Sequence, residues 1–222
     1  NIIKSSQTPW HYPLIWILIT TPIIYIGLFF CGVLKSIKKI STSKILLNHN
    51  NANIVLYYSL LILILSLGAV ILLDSTLFNG WRHLYFIYPF IIFLVLFGLD
   101  FVLNFFTKIK IKSFIVFILV LGLMDIAIWM KHNNPYQYVF FNTIGKKINP
   151  KNFDLDYWGL SYYQNLKYLL EYENFSTAKI LNSSSTKLFH SLFSLHEKDR
   201  QKFVETKNAE DADYWITNYY LD

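Results

Sequence analysis

The chain of 222 residues has one cysteine, Cys31. A single thiol excludes an intrachain disulfide and any cysteine-built metal site, and it leaves the redox compartment unread. Charge is scarce too. Asp, Glu, Lys and Arg make up 15% of the residues, where a soluble domain carries about a quarter. Residues 131–222 contain no Gly-x-Gly-x-x-Gly, no phosphate-cradling Gly-Lys-Ser/Thr loop and no Gly-x-Ser-x-Gly elbow. The usual signatures of dinucleotide binding, nucleotide hydrolysis and α/β-hydrolase chemistry are therefore missing there. His190 and His196 are six residues apart, the wrong spacing for two metal ligands on one helical face. The sequence identifies no cofactor and leaves a divalent metal open. Internal repeats are absent, and composition is biased only generally, toward Asn, Ile and Lys. The first residue is Asn, followed by a polar stretch without the basic start and small-residue cleavage site of a signal peptide. The chain reads as a fragment whose N-terminal part is absent.

Apolar residues are abundant, at 54%, and aromatics reach 18%. A helix needs about 20 apolar residues to cross a bilayer core of ~30 Å. Four runs meet or nearly meet that length: 13–34, 54–73, 84–102 and 113–130. They are apolar on all sides, whereas a surface helix would carry a polar stripe. The fold expected is thus an α-helical polytopic membrane protein with four transmembrane helices and a small C-terminal α/β domain.

The net charge of +6 lies wholly in the membrane half. Residues 1–130 hold nine Lys/Arg against Asp74, Asp100 and Asp125, while residues 131–222 are balanced at eleven of each sign. The soluble half thus has no basic patch of the kind a nucleic-acid partner needs. Lys35, Lys38, Lys39 and Lys44 fall between the first two runs, and Lys108, Lys110 and Lys112 between the last two. Short basic loops stay in the cytoplasm. Residues 1–12, 74–83 and 131–222 are then extracytoplasmic, and both ends of the chain with them. Trp10, Tyr12, Trp16, Trp81, Tyr85, Tyr88 and Trp129 cluster where the outer headgroup layer should lie.

The expected organisation is an outer segment (1–12), a membrane domain (13–130), an aromatic connector (131–160) and an extracytoplasmic α/β domain (161–222). In the last, Ser161 and Gln164 form a Ser-x-x-Gln capping box for a helix over 162–172. Residues 177–181 and 213–219 read as strands, and 202–205 as a short one. Ser184 or Ser185 caps a second helix, with Leu188, Phe189, Leu192 and Phe193 on one face. Such alternation suggests a small parallel sheet.

Three segments stand out on the outer side: Pro9-Trp10-His11-Tyr12-Pro13, Asn79-Gly80-Trp81-Arg82-His83-Leu84-Tyr85, and Asn134-Pro135-Tyr136-Gln137-Tyr138-Val139-Phe140-Phe141-Asn142. Asp154 to Ser161 follows the third. At the outer end of a span, the Arg82 guanidinium can hold a phosphate at two points, and His83 can add a donor or a proton. The plain alternative is an arginine that snorkels to lipid headgroups. His11 either lines a groove or belongs to the aromatic belt. Asp100 and Asp125 are intramembrane carboxylates near an interface, functional or merely solvated. Asp154 and Asp156 are either a carboxylate pair or turn formers.

Taken in order, Trp-His-Tyr-Pro, Gly-Trp-Arg-His-Leu-Tyr, Asn-Pro-Tyr-Gln-Tyr-Val-Phe-Phe-Asn and Asp-Tyr-Trp-Gly-Leu-Ser resemble the C-terminal half of bacterial lipid-carrier-dependent glycosyltransferases. These belong to the GT-C class and are related to the protein O-mannosyltransferase and aminoarabinose transferase type. The resemblance runs from about residue 9 to 164, with a fainter echo at 212–218. It implies transfer of a sugar from a polyprenyl-phosphate donor to a glycan, lipid or protein acceptor, outside a bacterial inner membrane. It also implies that the base that activates the acceptor hydroxyl is an acidic residue in an outer loop upstream of this sequence, so the fragment alone should be inactive. Arg82, His83, His11, Trp81 and Tyr136 are the positions expected to contact donor phosphate or substrate groove. A non-enzymatic anchor with an outer binding domain is the second reading. A transporter fragment ranks last, on the expectation that no Pro or Gly interrupts a span at mid-membrane.

Overall fold

The first apolar run does not form one helix. Pro22 has no backbone N–H, and its ring excludes the helical position of the preceding residues. Thr21 before it is extended, at φ −94° and ψ 136°. In the computed structural model, which describes residues 9–42, 51–77, 79–148, 153 and 156–218, the run divides into α1 (Tyr12–Thr20) and α2 (Ile23–Thr42). Their axes turn by 120° at the break. This corrects the expectation of uninterrupted spans: the proline was in the sequence, inside a run long enough to hide it.

The remaining membrane helices are α3 (Asn51–Leu72), α4 (Tyr88–Phe105) and α5 (Ile109–His132), and a 3₁₀ segment, Arg82–Ile87, leads directly into α4. Pro89 sits in the first turn of α4, where its missing N–H costs nothing. Ile54–Leu72, Arg82–Phe105 and Ile109–His132 are each long and apolar enough to cross a membrane. The bent pair α1–α2 makes a fourth if it is one span. No residue of α5 is buried, so side chains such as Phe114, Phe117, Leu121 and Ile128 face outward. Water would not tolerate such faces on a monomer, whereas hydrocarbon does.

Helices α2 and α4 run parallel and touch backbone to backbone. A Cβ on Gly32 would lie 2.0 Å from the Leu94 carbonyl oxygen, and one on Gly98 would lie 1.8 Å from that of Leu28. Small residues permit this approach, and dispersion rather than the hydrophobic effect holds helices together in lipid. Ile87, Ile91, Leu94 and Val95 fill the seam with Leu56 and Leu63 of α3. Buried Ser36 and Ser59 donate to carbonyls of their own helices, Gly32 at 2.6 Å and Val55 at 2.7 Å. At one end of the pair, Lys35 forms an ion pair with Asp100, which also accepts from Asn104. Asp100 is therefore a structural partner between helices. Asp125 is exposed on α5.

The chain divides into two compact units. The first comprises the described residues up to Asn134 together with Phe140–Ile148, and the second comprises Pro135–Val139 and the described residues from Phe153 onward. The aromatic stretch 131–160 is thus shared between them.

The second unit places α6 (Leu160–Tyr172) against a sheet of β1 (Ala178–Asn182), β2 (Phe203–Thr206) and β3 (Tyr214–Ile216), ordered β2-β1-β3 and parallel throughout. Two short helices, α7 (Phe189–Phe193) and α8 (Glu197–Arg200), lie between β1 and β2. Alternation along the strands sends Ala178, Ile180, Phe203 and Ile216 to one face, where Tyr162, Leu166 and Leu188 cover them. Lys179, Val204 and Trp215 are exposed on the other face.

Three local expectations are corrected here. Helix α6 starts at Leu160 with Gly159 at the N-cap, two residues before the Ser161–Gln164 box would place it, and Asp156 serves its first turn instead. Neither Ser184 nor Ser185 caps α7, whose N-cap position is Leu188. Phe189 and Phe193 do not share the buried face: Leu188, Ser191 and Leu195 point inward, while the two phenylalanines stack on each other in the open.

Candidate functional site

Asn79 and Gly80 both adopt left-handed backbone, with φ of 48° and 70°. Glycine accepts this freely and asparagine more readily than most residues. The turn they make aims Trp81 inward, and a 3₁₀ helix then brings every third side chain to one side. Trp81, Leu84 and Ile87 are buried along that side. Arg82 is half-buried and His83 exposed.

A buried indole N–H needs an acceptor. Trp81 Nε1 finds one in Thr20 Oγ1 at 2.9 Å, and that hydroxyl donates in turn to the Trp16 carbonyl at 2.6 Å. The Gly80 amide donates to the Tyr12 hydroxyl at 3.0 Å, and the Trp16 ring packs 3.3 Å from where a Gly80 Cβ would stand. The first and second motifs are thereby joined through both ends of α1.

Asn142 joins the third. Helix α1 cannot close its last carbonyls with following amides, because Pro22 has none to give. Asn142 replaces them. Its backbone N–H donates to Ile19 O at 2.9 Å, and its Nδ2 donates to Leu18 O at 2.6 Å and Thr21 O at 2.7 Å. Its Oδ1 accepts from the amides of Ile144 (2.9 Å) and Gly145 (3.0 Å). All four valences of the side-chain amide are used, and the residue is buried. Around this junction Trp16 packs on Phe141, and Trp81 on Tyr85 and Tyr88.

The sequence-predicted residues fall as follows. Trp81, Arg82, His83 and His11 belong to the first unit, with Trp81 and Arg82 adjoining the junction directly. His11 is exposed, its ring edge-on to Trp10 at 5.4 Å. The crevice between Trp10, Pro13, Asp74 and Leu77 has a volume of about 10 Å³, enough for one water. Tyr136 belongs to the second unit. There, burial first and the Asp156 charge second push its hydroxyl pKa up. Tyr138 is shifted further in the same direction, by burial and by donating its hydrogen bond to Asp156. Asp154 lies outside the described residues.

Asp156 reads as a turn and cap residue. Its carboxylate accepts from the Leu160 amide at 2.9 Å, the Ser161 amide at 3.1 Å, the Ser161 hydroxyl and Tyr138. A negative group there also suits the positive end of α6. Asp156→Ala should destabilise the second unit by about 1–2 kcal/mol, the usual loss of a helix N-cap. Chemical unfolding followed through the exchange protection of residues 160–164 checks this; unchanged protection would refute the assignment. Among the described residues no group of three or more His, Cys, Asp or Glu could hold a metal ion.

No protein-family model, curated protein or solved structure matches this chain. The residues that assemble the junction, Thr20 and Asn142 above all, were not singled out for roles in the sequence. Thr20 sits inside an apolar run, and Asn142 ends a motif whose aromatics draw attention first. The one local hint was Pro22, which leaves a helix end in need of donors.

Proposed function

We propose that the chain is part of a membrane glycosyltransferase that takes a sugar from a polyprenyl-phosphate donor and transfers it on the extracytoplasmic face. The observation that carries this reading is the junction itself. Three motif segments, as far apart in sequence as residues 18 and 142, are tied by hydrogen bonds at the N-terminal end of α4. The Lys35–Asp100 pair marks the opposite end. From Tyr88 to Asp100 α4 rises about 18 Å, and the 3₁₀ segment Arg82–Ile87 adds about 12 Å, a sum close to a bilayer core. Basic residues favour the cytoplasm, so the junction with Arg82 and His83 faces out.

The chemistry supports the same reading. A lipid-linked donor keeps its polyprenyl tail in hydrocarbon and its phosphosugar in the headgroup layer. Departure of polyprenyl phosphate develops negative charge, which a fixed guanidinium stabilises at two points. Trp81 is locked by its bond to Thr20, so the adjoining Arg82 rests on rigid backbone rather than on a loop.

Arg82→Ala, in the complete membrane protein assayed with a polyprenyl-phosphate-linked sugar, should raise donor KM or lower kcat/KM ten- to about a hundred-fold. Arg82→Lys should recover part of that, keeping the charge but not the fork. Unchanged donor KM and kcat in Arg82→Ala would remove the role. One observation favours a non-enzymatic anchor with an outer binding domain: Trp215, 66% exposed, and Val204 leave a face of the parallel sheet uncovered. Parallel sheets are normally covered on both faces. Transferase activity lost on Arg82→Ala would decide against that alternative.

A further inference from the structure

In an open parallel sheet, ligands bind outside the carboxyl ends of the strands, and here the cleft at that end lies on the β1–β2 side of the sheet, beside the β1/β3 switch point. Here β1 ends at Asn182 and β2 at Thr206, paired in register through Leu181 and Thr206. The two chains leave the sheet side by side, as Asn182-Ser183-Ser184-Ser185-Thr186-Lys187 and Thr206-Lys207. Between them lies a cleft of about 440 Å³. That volume falls within the range of small-molecule sites, roughly 300–1,000 Å³.

The loop after β1 is held in place. Asn182 Nδ2 donates to the Thr186 carbonyl at 2.7 Å, and Tyr162 donates to Asn182 Oδ1 at 2.9 Å. Ser184 Oγ lies 2.7 Å from the Tyr162 hydroxyl and donates to Asn218 Oδ1 at 2.6 Å. Asn218 Nδ2 returns to Thr186 Oγ1 at 2.8 Å. Tyr162 is fully buried, which anchors the network in the core of the unit. A loop so tied loses little entropy when something binds to it.

Ser185, Lys187, Glu205 and Lys207 line the cleft, and none of the four takes part in that network. All four are exposed, and among the described residues neither lysine is in an ion pair. Two ammonium groups against one carboxylate leave the cleft positive. Phe189, 60% exposed, stands at its rim and is braced by Phe193 at 5.8 Å. Cations, a carboxylate, a hydroxyl and an aromatic plate in one cleft suit a sugar ring that carries a negative charge. The plate takes the apolar C–H face of the ring, the carboxylate accepts from sugar hydroxyls, and the lysines meet the anion.

We propose that this cleft binds a saccharide bearing one anionic group, phosphate or carboxylate. Lys187 and Lys207 hold the charge, Ser185 and Glu205 bind the hydroxyls, and Phe189 stacks on the ring. The inference stands on the second unit alone and does not depend on the transferase reading of the first.

The purified full chain in detergent is titrated with glucose 6-phosphate, glucuronate, methyl glucoside, inorganic phosphate and AMP, with binding read by calorimetry and saturation-transfer NMR. Saturable binding of glucose 6-phosphate or glucuronate is expected, the tighter of the two identifying the anion. Lys187→Ala/Lys207→Ala should weaken that binding about tenfold or more. Both side chains are exposed, so the unit should still fold, and an unchanged far-UV spectrum verifies it. Phe189→Ala should weaken binding several-fold and erase the saturation-transfer signal from the ring C–H protons. Four results would each overturn the proposal: no saturable binding of either sugar, inorganic phosphate binding as tightly as glucose 6-phosphate, AMP binding more tightly than either sugar, or double-variant affinity equal to the parent's.

Discussion

Gly98→Leu is expected to separate α2 from α4 and leave the membrane unit unassembled. The obstruction is backbone: a Cβ at this position would stand 1.8 Å from the Leu28 carbonyl oxygen and 2.8 Å from the Gly32 nitrogen. Flexible side chains can rotate away from an added group, but a helix carbonyl cannot. Overpacking a core that can relax costs about 1–3 kcal/mol, and this site should exceed that range because the whole helix must move. Lys35 would also be drawn from Asp100, and the seam around Leu94 and Ile91 would open. Gly68→Ala is the control. Nothing lies within 4 Å of a Cβ there, so the change should be neutral or gain up to about 1 kcal/mol of helix propensity. Thermal unfolding in detergent, with a cross-link between cysteines placed on α2 and α4, measures both. If Gly98→Leu keeps the parent's Tm and cross-linking yield, the close crossing is wrong.

Asn142→Ala carries the second largest expected loss. It strips partners from the carbonyls of Leu18 and Thr21 and from the amides of Ile144 and Gly145. A buried polar group left unpaired costs about 1–3 kcal/mol, so four of them should cost at least about 3 kcal/mol after relaxation. The consequence reaches the candidate site, because α1 carries Thr20, the acceptor for Trp81. Asn142→Asp should retain the two bonds at its acceptor oxygen and lose both donors to α1, turning a carboxylate toward carbonyls instead. Hydrogen exchange over residues 12–20 is the direct readout. Faster exchange in both variants, with reddened tryptophan emission, is expected. Parent-like exchange would mean that Asn142 does not hold α1.

Much of the architecture could be read from the chain because its cause is local. A run of about 20 apolar residues needs no partner to declare itself, and the strand expected over 177–181 lies within one residue of β1 at each end. Even the corrected break was written locally, in Thr21-Pro22. Its weight was misjudged only because the run was long enough with the proline included. The side chains of α7 were a different matter. Leu188, Phe189, Leu192 and Phe193 have helical spacing, yet the helix is five residues long, too short for spacing alone to choose which face meets the sheet.

The candidate site divides the same way. Arg82 and Trp81 drew notice as a charged and an aromatic residue at the mouth of a span. Asn142 did not, because an asparagine gains its importance from what it meets, and Leu18 and Thr21 lie more than 120 residues away in sequence.

The sequence by itself determined where the long apolar runs lie and where ordinary charge returns, because the solvent each residue prefers is a property of that residue. Tertiary structure alone decided that α2 and α4 meet at two glycines, that Asn142 completes α1, and that the loops after β1 and β2 flank an open cleft. Those depend on distances between atoms far apart along the chain. Hydrogen bonds and steric exclusion act only over a few ångströms, so no local pattern can announce them.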